Sequence, residues 1–284
     1  MVNELIIHVL GTAQDGGYPH AGCKKDCCIS VWDKASLHRL PASIAAIDKN
    51  NNKFYLFDIT PNVKEQLHIL NQYNCDLAGI FITHAHVGHY LGLMDLGLEI
   101  MNTKNIPVYV MPRMKQFISN NEPMNQLIDN NNIKLINIAD NKTIVFDNLS
   151  VTPFNVPHRN ELSETVGFRL LSSNKSIIYL PDIDDWDSWN VDLSKFVVDN
   201  DILFLDGTFY KKTEIQSRNV SRIPHPEITD TMNRLSNLSD SDKKRVHFIH
   251  FNHTNDAIRE NSDASNHIIE EGFLISSDNQ TFNI

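Results

Sequence analysis

Between Thr83 and Leu93 the chain reads THAHVGHYLGL, directly after the apolar run LAGIFIT. Three histidines crowded this closely constrain the fold more than any other feature. In an extended backbone, residues two apart share a face, so His84 and His86 can address one ion. His89 falls on the opening turn of a segment in which Leu91, Met94, Leu98 and Met101 recur at helical spacing. A strand, a ligand loop and a helix from Tyr90 to Asn102 are therefore expected in succession, with imidazoles converging where the strand ends. Neutral imidazole is the commonest zinc ligand and also suits iron. A solvated loop that happens to be His-rich would account for neither the spacing nor the strand-to-helix setting.

The string is similar to the H-x-H-x-D-H signature of the metallo-β-lactamase superfamily, with one departure: Gly88 stands at the aspartate position. The resemblance implies an α/β fold, an αββα sandwich of two mixed β-sheets flanked by helices, with one or two metal ions between the sheets. The rest of the chain suits a single domain over residues 1–284. Strand patterns such as ELIIHVL, KFYLFDI, SIIYL, DILFLD and RVHFIHF alternate with helix patterns after Pro61, over Arg113 to Asn120 and over Pro226 to Leu238. Several strands are apolar on both faces, as sheets covered by helices require. GIFITHAH and HFIHFNH also echo one another, each running an apolar strand into histidines.

Composition narrows the partners. A net charge of −10 argues against a nucleic-acid surface, which needs clustered Lys and Arg. No apolar run approaches a membrane span, and the N-terminus lacks the basic region and long apolar core of a signal peptide. With four cysteines and no disulfide framework, a reduced, cytoplasmic protein acting on a small molecule is expected. Nothing in the pattern specifies an oligomeric state.

The resemblance implies the remaining metal ligands. His158 in VPHRNELSETVGFRL follows a strand pattern and would complete a three-histidine site with His84 and His86, although beside Pro157 it also reads as a turn residue. Asp182, just past SIIYL, stands where superfamily members place a metal-bridging aspartate; Asp184, Asp185 and Asp187 read as a solvated acidic turn, capping a short helix around Trp186 and Trp189. In RVHFIHFNHTN a strand running on to His253 would put His250 on the opposite face from His247 and His253; the resemblance favours His250 as the last ligand, with His253 lining the pocket or replacing it and His247 in the core. Glycine at position 88 brings no ligand and no charge. The second position is left with His89, His250 and a shared Asp182, so one tight ion is expected and a second that is weak, absent or helped by another acid. Asp15, Asp58 and Asp206 each sit at or near a strand end and are candidates for that help.

GTAQDGGYPHAGCKKDCC forms a second unusual segment. Cys23, Cys27 and Cys28 stand at a spacing that suits a structural zinc, with His20 or another histidine as fourth ligand; three free thiols are the alternative. This segment and the NHTN ending resemble the superfamily branch that contains the pyrroloquinoline quinone (PQQ) biosynthesis protein B, from Leu10 to about Phe273. A related branch, the cyclic phosphodiesterase of phosphonate degradation, pairs a Cys-based zinc with a hydrolytic centre.

Three functions follow, in order of preference. The first is a metallo-hydrolase using zinc, with iron or manganese as alternatives, in which Asp182 orients or deprotonates water and a small phosphodiester or ester-like bond is cut. His225, His253 and Asp206 are its candidate substrate-binding residues, and Arg159 and Arg222 could meet an anionic group. The second is an iron-dependent oxygenase of the PQQ type. The third is a non-catalytic, metal-held carrier.

Overall fold

The computed structural model describes residues 5–173, 175–214 and 224–284. Within them the chain first lays down β1 (Leu5–Gly11), β2 (Ser43–Asp48), β3 (Lys53–Phe57), β4 (Asp76–Phe81), β5 (Ile106–Val110) and β6 (Ile133–Asn137). A second sheet follows from β7 (Ile144–Val145), β8 (Ser150–Asn155), β9 (Val166–Leu171), β10 (Ser176–Leu180), β11 (Ile202–Asp206), β12 (Val246–Ile249) and β13 (Leu274–Ile275). Finally β14 (Thr281–Asn283) returns to pair with β1. The two sheets run β14-β1-β2-β3-β4-β5-β6 and β13-β12-β11-β10-β9-β8-β7. Both are mixed: β3 to β6 and β10 to β13 are parallel, and the hairpin-linked strands are antiparallel.

The period of two in these strands explains the layering. Tyr55 and Phe57 of β3 face the middle layer with Phe81, Phe168, Tyr179 and Phe204, whereas Phe54 and Leu56 face outward. Likewise Ile177 and Tyr179 of β10 point inward, and Ile178 and Leu180 outward. Sheets apolar on both faces demand a cover on each side. Helices Val63–Leu70 and Pro112–Asn120 supply it on the first sheet, and Leu193–Val198, Ile228–Arg234 and Asp263–Glu270 on the second. The result is the αββα order. Phe81 stacks on both Phe57 and Tyr109 at the centre, with ring centroids 4.9 and 4.4 Å apart. Truncating such a fully buried ring costs about 3–5 kcal/mol.

Three local expectations are corrected. In place of a helix from Tyr90 to Asn102 there is a short helix Val87–Tyr90, a 3-10 segment Leu91–Leu96 and turns. A Cβ on Gly92 would overlap the Thr60 carbonyl oxygen, so this segment lies directly on the backbone after β3, and Leu98 stays 60% exposed. Around Trp186 and Trp189 the chain bends without forming a helix. β12 ends at Ile249, and His250 adopts φ 65°, which breaks the strand alternation before His253. Arg222 lies outside the described residues. Among the described residues no helix is long and apolar enough to cross a membrane.

Candidate metal centre

Strands β4, β10, β11 and β12 run straight into Thr83–His84, Asp182, Gly207–Thr208 and His250, so polar side chains gather where the two sheets end together. His84 Nε2 lies 2.7 Å from His86 Nδ1, and His158 Nε2 lies 3.3 Å from the same atom. Tetrahedral zinc with Zn–N near 2.05 Å would separate its nitrogens by about 3.3 Å. These three donors fit one ion. Two neighbours stand against the rings: Thr83 Oγ1 is 2.9 Å from His84 Nδ1, and the Asp184 carboxylate makes an ionic contact with His158 Nδ1 at 2.8 Å, without hydrogen-bond geometry. Asp184 is therefore not part of a solvated turn. Asp185, which accepts from Ser188, and Asp187, which pairs with Arg234 at 2.7 Å, do occupy such a turn.

A second group faces the first. His89 Nδ1 donates to Asp58 Oδ2 at 2.7 Å, and Asp58 also accepts from the Thr83 amide, the Thr83 hydroxyl and the Tyr179 hydroxyl. That network leaves His89 Nε2 as the free ring atom, 3.2 Å from Asp182 Oδ2 and 3.5 Å from Asp15 Oδ1. His250 Nδ1 contacts Thr208 Oγ1 at 3.0 Å, and its Nε2 lies 3.5 Å from Asp182 Oδ2. The other oxygen of Asp182 is 3.7 Å from His158 Nε2. One carboxylate thus divides its oxygens between two sets of histidines.

Burial keeps His84 and His250 below the ordinary histidine value and lowers His86 to about 4. His89 goes the other way: burial opposes charge, but Asp58, Asp182 and Asp15 outweigh it. Asp182 is desolvated too, yet His250 and His89 hold it well below the usual carboxylate range. Asp182 Oδ2, His250 Nε2 and Asp15 Oδ1 are buried without a hydrogen-bond partner. Buried polar atoms rarely stay orphaned. Oxygen and nitrogen donors converging in this way fit a divalent cation.

His225 stands at the rim. Its Nδ1 donates to Asp206 Oδ2 at 2.6 Å, while Asp206 also accepts from the Ile183 and Thr208 amides. Asp206 is wholly buried behind His225, so it positions that ring and reaches no cavity. Burial would lower His225, but Asp206 raises it. A cavity of about 220 Å³ opens over His86, His158, Asp182 and His225, and a second of about 590 Å³ adjoins it, sharing Gln14, Asp15 and Arg159. Lys24 and Lys25 line the larger one. Arg159 pairs with Glu161 at 2.7 Å.

The cysteines gather beside that larger cavity, where Cys23 and His253 reach its wall. Cys23 and Cys27 sulfurs are 3.7 Å apart, Cys27 and Cys28 3.9 Å, and His253 Nδ1 lies 3.6 and 3.4 Å from Cys27 and Cys28. A tetrahedral zinc with Zn–S near 2.3 Å would set S···S at about 3.8 Å and S···N at about 3.6 Å. Three sulfurs and one nitrogen match that figure. His253, read from sequence as a pocket residue, joins the thiols, and His20 stacks on it at 4.3 Å. His247 is buried against Phe204 and Phe282, in the core as expected. Sequence reasoning missed Asp184 and Thr208 as ring-positioning partners and could not choose among Asp15, Asp58 and Asp206. Strand-end placement was the only signal, and all three acids share it.

Residues 54–251 match the family model described as the beta-lactamase superfamily domain. Coenzyme PQQ synthesis protein B from a strain of Methylorubrum extorquens is 23% identical over 304 aligned positions, covering 97% of this chain and 99% of that protein. Among solved structures, Zn(2+)-bound PqqB from Methylobacterium extorquens superposes with a TM-score of 0.83 at 22% identity, covering 98% of this chain and all of that one. A diphosphatase of the PhnP family, also 22% identical, superposes with a TM-score of 0.71 and covers 100% and 98%.

Proposed function

The chain belongs to the β-lactamase superfamily, and from that premise we propose that it is a zinc-dependent hydrolase of a small phosphodiester or ester-like substrate. The observation that carries this reading is Asp182, whose two oxygens face His158 on one side and His89 and His250 on the other. His84, His86 and His158 would hold one ion with Asp182, and His89, His250 and Asp182 would offer a second position. Bound there, a dication supplies Lewis acidity and a water acidified to near neutrality.

The chain's own residues do the rest. Asp182 orients the attacking water, which, acidified to near neutrality, gives up its proton to solvent. His225, anchored by Asp206 and opening onto the cavity, hands a proton to the departing oxygen. The smaller cavity admits a group of a few heavy atoms. Lys24 and Lys25 in the adjoining one favour an anionic remainder, and the similarity to a diphosphatase favours phosphorus over carbon at the scissile bond. Cys23, Cys27, Cys28 and His253 would hold a structural ion beside it. The net charge leaves nucleic acid a poor partner and a small molecule the better one.

The test is hydrolysis of a chromogenic phosphodiester by metal-free and zinc- or manganese-loaded protein. Chelation should abolish turnover, reloading should restore it, and His84→Ala with His86→Ala should lower it by at least about 10³-fold. Full activity in that double variant would sink the reading. A second reading rests on the alignment of nearly the whole chain with PQQ synthesis proteins: an iron centre doing oxygen chemistry. Oxygen uptake by anaerobically iron-loaded protein, absent from the zinc form, would put it first.

A further inference from the structure

We propose that Asp15 supplies the carboxylate of the second cation position, completing it with His89, His250 and the shared Asp182, and that residue 88 is glycine because this carboxylate fills its side-chain space. The proposal deepens, and rests on, the metal-centre reading above.

Three observations carry it. Asp15 Oδ1 lies 3.5 Å from His89 Nε2, and Asp15, His89 and His250 place their donor atoms within 4.8 Å of one another. Asp15 Oδ1, Asp182 Oδ2 and His250 Nε2 are each buried without a hydrogen-bond partner, and His250 and Asp182 are themselves almost fully enclosed. Gly88, finally, has no conformational reason to be glycine: it sits in the helix Val87–Tyr90 and is not among the glycines with positive φ. Its reason is space. A Cβ there would overlap Asp15 Oδ1 and stand 2.6 Å from Asp15 Cα and 2.8 Å from its Cγ.

The backbone explains how a residue 73 positions upstream of Gly88 reaches this point. Ala13 bridges both Pro41 and Phe251, the Gln14 amide donates to the Phe251 carbonyl at 2.8 Å, and the Phe251 amide donates to the Thr12 carbonyl at 2.8 Å. The loop after β1 is thereby laced to the residue that follows His250. The carboxylate missing from the helix after β4 is delivered to the same place from the loop after β1, three strands away in the same sheet.

Equilibrium binding of Zn²⁺ alone, with metal content by elemental analysis, tests this on the full chain and four variants. Asp15→Asn keeps the shape and should lose one bound ion, its affinity falling by about 10- to 100-fold or more, while the other ions stay. Gly88→Asp alone should lose the same ion through overlap with Asp15. Asp15→Gly combined with Gly88→Asp should regain it. Gly88→Ala, which adds bulk without charge, should behave as Gly88→Asp does. Unchanged ion number and affinity in a folded Asp15→Asn, verified by circular dichroism, would overturn the ligand assignment, and normal binding by Gly88→Ala would overturn the spatial half. Because binding is read directly, two ions at the histidine centre besides the cluster's own, without turnover, would refute the hydrolase and leave this proposal standing.

Discussion

The histidine centre and the cysteine cluster share the loop from Thr12 to Cys28, yet they differ in what holds them open. At the histidine centre, donors arrive from five separate segments, and four of the five rings lie against a fixed neighbour: Thr83 for His84, Asp58 for His89, Asp184 for His158 and Thr208 for His250. Two packed sheets bear the cost of that arrangement. At the cluster, three thiols come from one six-residue stretch whose regular structure is the single turn Asp26–Ile29, and Cys23 and Cys27 are only partly buried. A scaffold-built site exists before metal arrives, whereas a loop-built one depends on metal for its shape. The difference separates a centre suited to chemistry from one suited to stability.

The sharpest way to break that comparison is Asp182→Asn, which keeps the side-chain volume and removes the shared charge. Turnover should fall by roughly 10³-fold, and zinc should leave both histidine positions while the cluster keeps its ion. Elemental analysis beside the kinetic assay checks this, and loss of the cysteine-bound ion as well would mean the two sites are not independent. Asp58→Asn is milder because it acts through His89. With an amide at 58, the donor and acceptor pattern that fixes the His89 ring is lost. Affinity for the second ion should drop by about 10- to 100-fold, with the first ion unaffected in a zinc titration.

Much of the scaffold-built site is legible in sequence because its logic is local. His84 and His86 follow a strand, and alternation alone puts them on one face. The layered fold is legible for the same reason: Ile177 to Leu180 and Ile202 to Leu205 are apolar at every position, which only a sheet covered on both faces explains. What stays illegible depends on contacts between distant segments. Nothing near Asp15 announces that its loop is laced to Phe251, and nothing near His253 announces the thiols. The misread helix after His89 shows a second limit. Leu91, Met94, Leu98 and Met101 keep helical spacing, but Gly92 lets the chain settle onto Ile59 and Thr60, and tertiary contact overrides the local period.

Protons separate the sites further. Burial holds the Cys28 thiol up at about 12 and raises Cys27, so zinc entering the cluster must expel protons over the whole neutral range. His86, lowered to about 4, is already free base there, and His84 and His250 are lowered too, whereas His89 is raised and holds a proton to be displaced. The sign follows: as pH falls from 8 towards 5, proton competition grows steeply at the cluster and weakly at the histidines. Zinc uptake in weak buffer at pH 7 should release about two to three protons per cluster ion and about one or fewer per histidine-bound ion. On acidification the cluster should empty first. The reverse order of release would erase the distinction.

The smallest expected effect on turnover, and the one that most sharpens the contrast, comes from Cys28→Ser. Cys28 is buried against Tyr18, Val31 and Phe251, and it accepts from the His20 amide at 3.3 Å. Serine is close in size, so the core should repack with little strain, but a hydroxyl is a far poorer zinc ligand than a thiolate. One zinc equivalent should be lost, and the ligand-linked stabilisation with it. The melting temperature should fall by several degrees, at roughly 2–4 °C per kcal/mol for a chain of this size. Turnover at low temperature should change by less than about tenfold, because the backbone that carries Asp15 is fixed by Ala13 and Gln14 to Pro41 and Phe251, independently of the thiols. Calorimetry and kinetics on one preparation decide the matter. A collapse of turnover at unchanged melting temperature would mean that the cluster shapes the reaction cavity directly, and that the loop from Thr12 to Cys28 behaves as one unit.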